Sequence, residues 1–174
     1  MTPVATMTFP HAVGWITVGC GGRGICLIDL HESKPSHAQL QRRHPRHRLT
    51  EDAAAARAAK EVVLAWFETG AFEGDLDVSG TPFQAAVWRA LRRIPRGRTL
   101  TYRQLAAAAG NAEAVRAAGS ACGANPVPLL IPCHRVIRSD GALGGFGPGP
   151  AIKAKLLAWE NGAYHAQYRR ARIA

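Results

Sequence analysis

Cys133 stands between Pro132 and His134 in the run Ile131, Pro132, Cys133, His134, Arg135, Val136, directly after the apolar stretch Val127 to Ile131. A thiol attacks as its thiolate, and a cysteine near its reference pKa of about 8.5 is mostly protonated at neutral pH, so nucleophilic chemistry requires a neighbouring base or positive field. His134 and Arg135 are the nearest suppliers. Successive side chains on an extended strand point to opposite faces, so His134 reaches the Cys133 sulfur only if the backbone turns, and Pro132 favours a turn there. A single cysteine is otherwise most simply a small buried hydrophobe. Cys133 with His134 would also serve a cysteine hydrolase or a redox protein.

Charge separates these readings. From residue 80 to the end the chain carries fourteen Lys and Arg against three Asp and Glu, whereas residues 1 to 79 carry eight against nine, so the net charge of +10 belongs to the second half. Such a basic half is built to meet a polyanion, and neutralised phosphates are the main sequence-independent source of nucleic-acid affinity. A thiol hydrolase leaves this charge unexplained; a membrane surface is the competing partner. No apolar run approaches the roughly 18 residues of a spanning helix and nothing resembles a signal peptide, so an intracellular location is expected. With 174 residues and 47% apolar composition, the chain can build one large or two small domains. Cys20, Cys26, Cys122 and Cys133 show no paired zinc-ribbon spacing and are expected as thiols. Cys20 and Cys26, with His31 nearby, offer too few ligands for a convincing metal site, and two buried thiols are the preferred reading.

Around these residues the elements can be drafted. Trp15 to Val18 and Gly24 to Leu30 read as strands joined by the turn Gly19 to Gly22. His31 to Arg48, polar and with irregularly spaced histidines, reads as a loop. Residues 51 to about 68 read as a helix with Val62, Val63, Trp66 and Phe67 on helical spacing. Gly70 to Gly80 is an acidic, glycine-bearing boundary. Thr81, Pro82 and Gln84 open a helix to about Arg93 with a capping box, and Thr101 with Gln104 opens a second through Ala109, closed by Gly110. Asn111 can cap a third, Ala112 to Gly123, giving the form of a helix-turn-helix. Its second helix offers Ala, Gly, Ser and one Arg116, not the Asn, Gln or several Arg that read base edges in the major groove. Small side chains let a helix backbone approach a narrow minor groove, and equally suit a buried helix. A last helix is expected over Ala151 to Asn161.

The peptide Asn125, Pro126, Val127, Pro128, Leu129, Leu130, Ile131, Pro132, Cys133, His134, Arg135, Val136, Ile137, followed by Ser139, Asp140 and Gly141, closely resembles the active-site signature of the O6-alkylguanine-DNA alkyltransferases. Upstream, Thr81, Pro82, Phe83, Gln84, Val87 and Trp88, then Thr101, Tyr102, Gln104, Leu105 and Ala106, then Ala114, Val115, Arg116, Ala117 and Gly119 are similar to that family in the same order. Gly144 to Gly147 and Lys155, Leu156, Leu157, Trp159, Glu160 continue the likeness, which covers roughly residues 79 to 162.

The resemblance implies an α/β N-terminal domain over 1 to 78, a small sheet plus helix and ribonuclease H-like, followed over 79 to 174 by a mainly α domain with a winged-helix-like helix-turn-helix. It implies a protein that rotates O6-alkylguanine out of duplex DNA and takes the alkyl group irreversibly onto Cys133 with no cofactor; some members of the family carry a structural zinc in the first domain, but too few ligands match here for one to be expected. His134 would take the thiol proton through a water and Glu160 would orient His134. Tyr102 would press on the 3′ phosphate, Arg116 would fill the vacated stack, and Thr101, Arg103, Ala114 and Gly119 would meet DNA in the minor groove. Asn125 would be the hinge before the active-site strand, while Pro128, Val136, Ser139, Phe146 and Gly147 would shape the pocket. A monomer is expected, able to cluster along DNA, in the cytoplasm or in a eukaryotic nucleus. Phe146 departs from the family's usual tyrosine and Gly147 from a common hydroxyl residue, so hydrogen bonds to the leaving base would come from backbone amides of Ser139 or Gly147. Arg103, Gly123 and Ala124 also depart from common choices. The alternative is a non-enzymatic lesion-binding or helix-turn-helix regulatory protein; related lesion sensors replace the reactive cysteine, which this chain keeps.

Overall fold

The computed structural model describes residues 2–162. They divide into two compact units, one running to Ser79 and including Pro126–Leu130, the other formed by Gly80–Asn125 and the chain from Ile131. The second half is therefore not one uninterrupted domain: the backbone leaves the second unit after Asn125, joins the first through Leu130, and returns at Ile131.

In the first unit, strands β1 (Thr2–His11), β2 (Gly14–Gly21), β3 (Gly24–His31) and β4 (His47–Glu51) form a sheet in the order β3-β2-β1-β4. The expected hairpin exists but is longer, with Gly21 paired to Gly24 and a bulge at Gly19 and Cys20. Strands β1 and β4 were hidden from the sequence, β1 by its two prolines and β4 by its charge; they pair in parallel from Thr2↔His47 to Thr6↔Glu51.

The segment drafted as a loop, His31 to Arg48, instead holds helix α1 (His37–Arg43) and the first two residues of β4. Ser36 and Gln39 form a full capping box for α1, but only Leu40 on the helix is buried, so no apolar periodicity announces it. Two of the segment's four histidines, His31 and His44, share a target. Buried Asp29 meets Arg43 Nε at 3.2 Å, His44 Nε2 at 3.2 Å and His31 Nε2 at 3.4 Å. Burial would raise its carboxyl, yet His31, His44 and Arg43 hold it well below the usual carboxylate range. Helix α2 (Arg57–Thr69) starts later than expected, because Glu51 ends β4 and the Asp52 carboxylate accepts from Ala55 N in a turn. Ala59, Val63, Trp66 and Phe67 are its buried positions. Cys26 is buried with Sγ donating toward Gly19 O at 3.6 Å, and among the described residues no group of three or more His, Cys, Asp or Glu could hold a metal ion.

The second unit opens with α3 (Pro82–Arg92), capped by the Thr81/Gln84 box and burying Val87, Trp88, Ala90 and Leu91. Helices α4 (Tyr102–Ala108) and α5 (Val115–Gly123) follow. Thr101 and Gln104 make the expected box on α4, and Gly110, at φ +99°, adopts the left-handed turn that ends it. Asn111 does not cap α5: its Oδ1 accepts from Glu113 N in a preceding turn, and α5 starts later, at Val115, with Ala114 as an N-cap lacking a side-chain bond. Two-residue strands β5 (Leu100–Thr101) and β6 (Val136–Ile137) pair in parallel, and α6 (Pro150–Glu160) buries Ile152, Lys153, Leu156, Trp159 and Glu160. No described helix is long and apolar enough to cross a membrane.

Trp88 locks α3 to α5: its Nε1 donates to Ala121 O at 2.9 Å inside the core. Trp88→Phe keeps an aromatic ring there but leaves a buried carbonyl without its donor, a loss of about 1–3 kcal/mol. Urea denaturation is expected to show the midpoint falling with the slope unchanged.

Candidate active site

The apolar run ends at Pro132, and Cys133–Arg135 form one 3-10 turn. That is the bend the adjacent Cys133 and His134 demanded; neither lies on a strand. Four residues upstream of Cys133, Leu129 sits at φ +84°, the one positive-φ non-glycine among the described residues, a conformation that persists only where packing over-determines it.

Cys133 is 6% exposed, and its Sγ accepts from Asn125 Nδ2 at 3.2 Å. The same amide donates to Ile131 O at 2.7 Å, so Asn125 bridges the point where the chain leaves the second unit and the point where it returns. Burial pushes the Cys133 thiol up, whereas the Asn125 donor and the positive field of Lys153 favour the thiolate.

His134 is fully buried, with Nε2 2.8 Å from Glu160 Oε1. Glu160, the last residue of α6, also accepts from Arg135 Nε and NH2 at 2.9 and 2.7 Å and from Gly97 N at 3.1 Å. It is therefore an interior acid although it ends a helix. Burial would raise its carboxyl, but the hydrogen bonds from His134 and Arg135 bring it down to about 2. Burial lowers His134 despite the opposing pull of Glu160, so at neutral pH the imidazole is uncharged beside an ionised carboxylate. Nε2 then carries the proton, and Nδ1 holds the lone pair of a base.

Cys133, Cys122 and Tyr102 line a cavity of about 170 Å³ together with Gly119 and Gly123 of α5 and the segment Gly145 to Gly147. Phe146 stands edge-on to His134, ring centroids 6.4 Å apart. The Tyr102 hydroxyl donates to Gly145 O at 3.3 Å, and burial followed by the two thiols raises its pKa, so it stays protonated. Lys153 is fully buried and ties this segment down: Nζ donates to Val136 O at 2.6 Å, to Gly145 O at 3.3 Å and to Leu143 O.

Of the residues singled out in the sequence, Cys133, Tyr102, Gly119, Phe146 and Gly147 share the cavity, Asn125 joins it through its hydrogen bond to Cys133, and His134, paired with Glu160, meets it at the Phe146 ring. Val136 is buried in β6 and lends its carbonyl to Lys153. The others lie elsewhere. Thr101 is spent capping α4, Ala114 precedes α5, and Arg103, Arg116 and Ser139 are exposed. Pro128 belongs to the first unit. Arg135 is not the cation beside the thiol: it is committed to Glu160 and to Ile94 O, at 2.6 Å from NH1, and Lys153 supplies the field. Lys153 carries no local signal, because its carbonyl partners belong to Val136, Leu143 and Gly145. Cys122 had a signal: it lies three positions after Gly119, on the same helical face. Burial, then Cys133, push its thiol up to about 12.

A flat group entering this cavity would meet one aromatic face, one tyrosine hydroxyl and a thiol whose neighbouring base is fixed by a carboxylate. Known proteins carry the same unit. The 6-O-methylguanine DNA methyltransferase DNA-binding domain matches residues 82–162. The Escherichia coli bifunctional transcriptional activator/DNA repair enzyme Ada is 55% identical over 85 residues, which are 49% of this chain and 24% of Ada, so this chain spans about a quarter of that relative's length. The crystal structure of Mycobacterium tuberculosis OGT in complex with DNA superposes with a TM-score of 0.72 at 33% identity, covering 92% of this chain and 93% of that one. The methylated-DNA–protein-cysteine methyltransferase of Haemophilus influenzae is 36% identical over 172 residues, 94% of this chain and 90% of that protein. A match that runs nearly from end to end of both proteins, and is not confined to one shared module, means that the chain belongs to the methylated-DNA–protein-cysteine methyltransferase family.

Proposed function

We propose that this protein repairs DNA by taking the alkyl group of O6-alkylguanine onto its own Cys133, once per molecule. The observation that carries this reading is the arrangement of Cys133, His134 and Glu160 beside an aromatic-walled cavity. The Cys133 thiol loses its proton through a water to His134 Nδ1, and Glu160 holds the imidazole in the required tautomer. The sulfur lone pair forms the S–C bond while the C–O6 bond breaks, and its electrons leave on the guanine. The step balances without a cofactor. A thioether does not reverse under these conditions, so the protein is consumed.

Duplex DNA buries O6 within the stack, so the nucleotide must rotate out. The α4–α5 pair, winged-helix-like by resemblance, is assigned to the minor groove, with Arg116 filling the vacated stack and Tyr102 driving rotation. Arg103, Thr101, Ala114 and Gly119 complete that face. Exposed Arg116 near the start of α5 supports its part; a planar guanidinium both stacks and donates. Phe146 offers the base a stacking face but no hydroxyl, which leaves leaving-group hydrogen bonds to the amides of Ser139 or Gly147. The first unit is assigned the ribonuclease H-like architecture of the family, the protein acts as a monomer, and its place is wherever the cell keeps its DNA.

Incubation with a duplex bearing O6-methylguanine, followed by peptide mass analysis, is expected to show one methyl group on the Cys133 peptide and none on the Cys122 peptide; an unmodified Cys133 rules the reading out. Arg116→Ala is expected to slow repair of duplex more than reaction with free O6-benzylguanine, and equal loss on both contradicts the intercalating role. Lys153→Met removes three carbonyl contacts behind Phe146 and is expected to cut the transfer rate roughly tenfold, about 1.4 kcal/mol in barrier.

Acid should expose the Glu160 network. Its carboxyl titrates at about 2 in the fold against an ordinary 4.5, so it stabilises the folded protein above 4.5, and this contribution fades as pH falls toward 2. Thermal melts between pH 6 and pH 2 are expected to show Glu160→Gln less stable than the parent at the upper end, with the gap closing toward the lower end.

A further inference from the structure

A second cavity in this unit lies away from the thiol. Its walls are Ala90 in α3, Ile94 and Pro95 in the following loop, Leu100 in β5 and Ala108 at the end of α4, and its volume is about 180 Å³. Arg93 and Arg98, both exposed, complete the lining. No Asp or Glu occurs between Asp77 and Glu113, a stretch that carries six arginines. An apolar recess with two exposed cations and no Asp or Glu in its lining is complementary to an apolar group flanked by carboxylates.

We propose that this recess receives one Leu- or Phe-sized side chain from an acidic segment of a partner protein, whose carboxylates pair with Arg93 and Arg98. The recess is large enough for a single anchoring residue. Nucleic acid supplies anions but no apolar side chain to fill the walls, so the positive rim alone does not describe the site.

The same loop holds the catalytic carboxylate. Gly97 N donates to Glu160, and Ile94 O receives the Arg135 guanidinium that grips Glu160. A partner seated on Ile94 and Pro95 therefore presses on the support of the orienting acid, and docking should register at Cys133.

The probe is a fluorescein-labelled peptide with one Phe flanked on each side by two Glu, titrated against the full chain by fluorescence anisotropy. Controls replace its Phe by Ala or its Glu by Lys. Ala108 is exposed, so Ala108→Trp plugs the recess without disturbing the core, and Arg93→Glu with Arg98→Glu reverses the rim; melting temperatures establish that both variants fold. The expected result is saturable binding that weakens at least tenfold in each variant and with each control peptide, together with a changed rate of alkyl transfer in the bound parent. Lack of binding, equal binding by the Phe and Ala peptides, or unchanged binding to Ala108→Trp overturns the proposal. So does displacement of the peptide by undamaged duplex from parent and plugged variant alike, which would make the face a general polyanion surface.

Discussion

The buried carboxylate of Glu160 is the fixed point of the second unit. Four donor groups from two separated segments converge on it: the His134 ring, two nitrogens of Arg135 and the Gly97 amide. A carboxylate removed from water at this depth is tolerable only with such pairing, and removal of one partner of a buried pair typically costs about 3–5 kcal/mol. The end of α6, the turn carrying the thiol and the loop after α3 are therefore held in one register. Chemical orientation and folding stability rest on the same oxygens. The base beside Cys133 thus takes its position from the core, not from a mobile surface loop.

Much of this was legible because it is local. Thr81 with Gln84 and Thr101 with Gln104 are complete signals within four residues, and both helices begin where those signals place them. Pro132 before Cys133 and His134 announced a bend, and the 3-10 turn supplies it. What the sequence concealed depends on distant partners. Helix α1 buries only Leu40, and His31 and His44 look unrelated until Asp29 of β3 draws them together. Lys153 gives no local sign of burial, because its carbonyl partners are spread over Val136, Leu143 and Gly145. Arg135, expected beside the thiol, instead completes the shell of an acid distant in the chain.

Asn125 shows how a single amide can serve fold and chemistry together. Its two N–H groups go to Ile131 O and to the Cys133 sulfur, so the residue that closes the excursion through the first unit is also the direct donor to the nucleophile. Lys153 is comparable on the other wall: it fixes the carbonyls behind Phe146 while its charge reaches both thiols. The glycine-rich walls of the cavity hold their shape through the hydrogen bonds of half-buried Asn125 and buried Lys153.

Burial of the Cys133 sulfur has a consequence for selectivity. A reagent that can be spent only once is wasted by every chance encounter with a stray electrophile or a small oxidant. Recessed and held above the ordinary thiol range, this sulfur stays dormant in the resting protein. It becomes worth attacking with only when a guest occupies the cavity and brings a carbon into line, so the low reactivity of the empty site preserves the molecule for its one use.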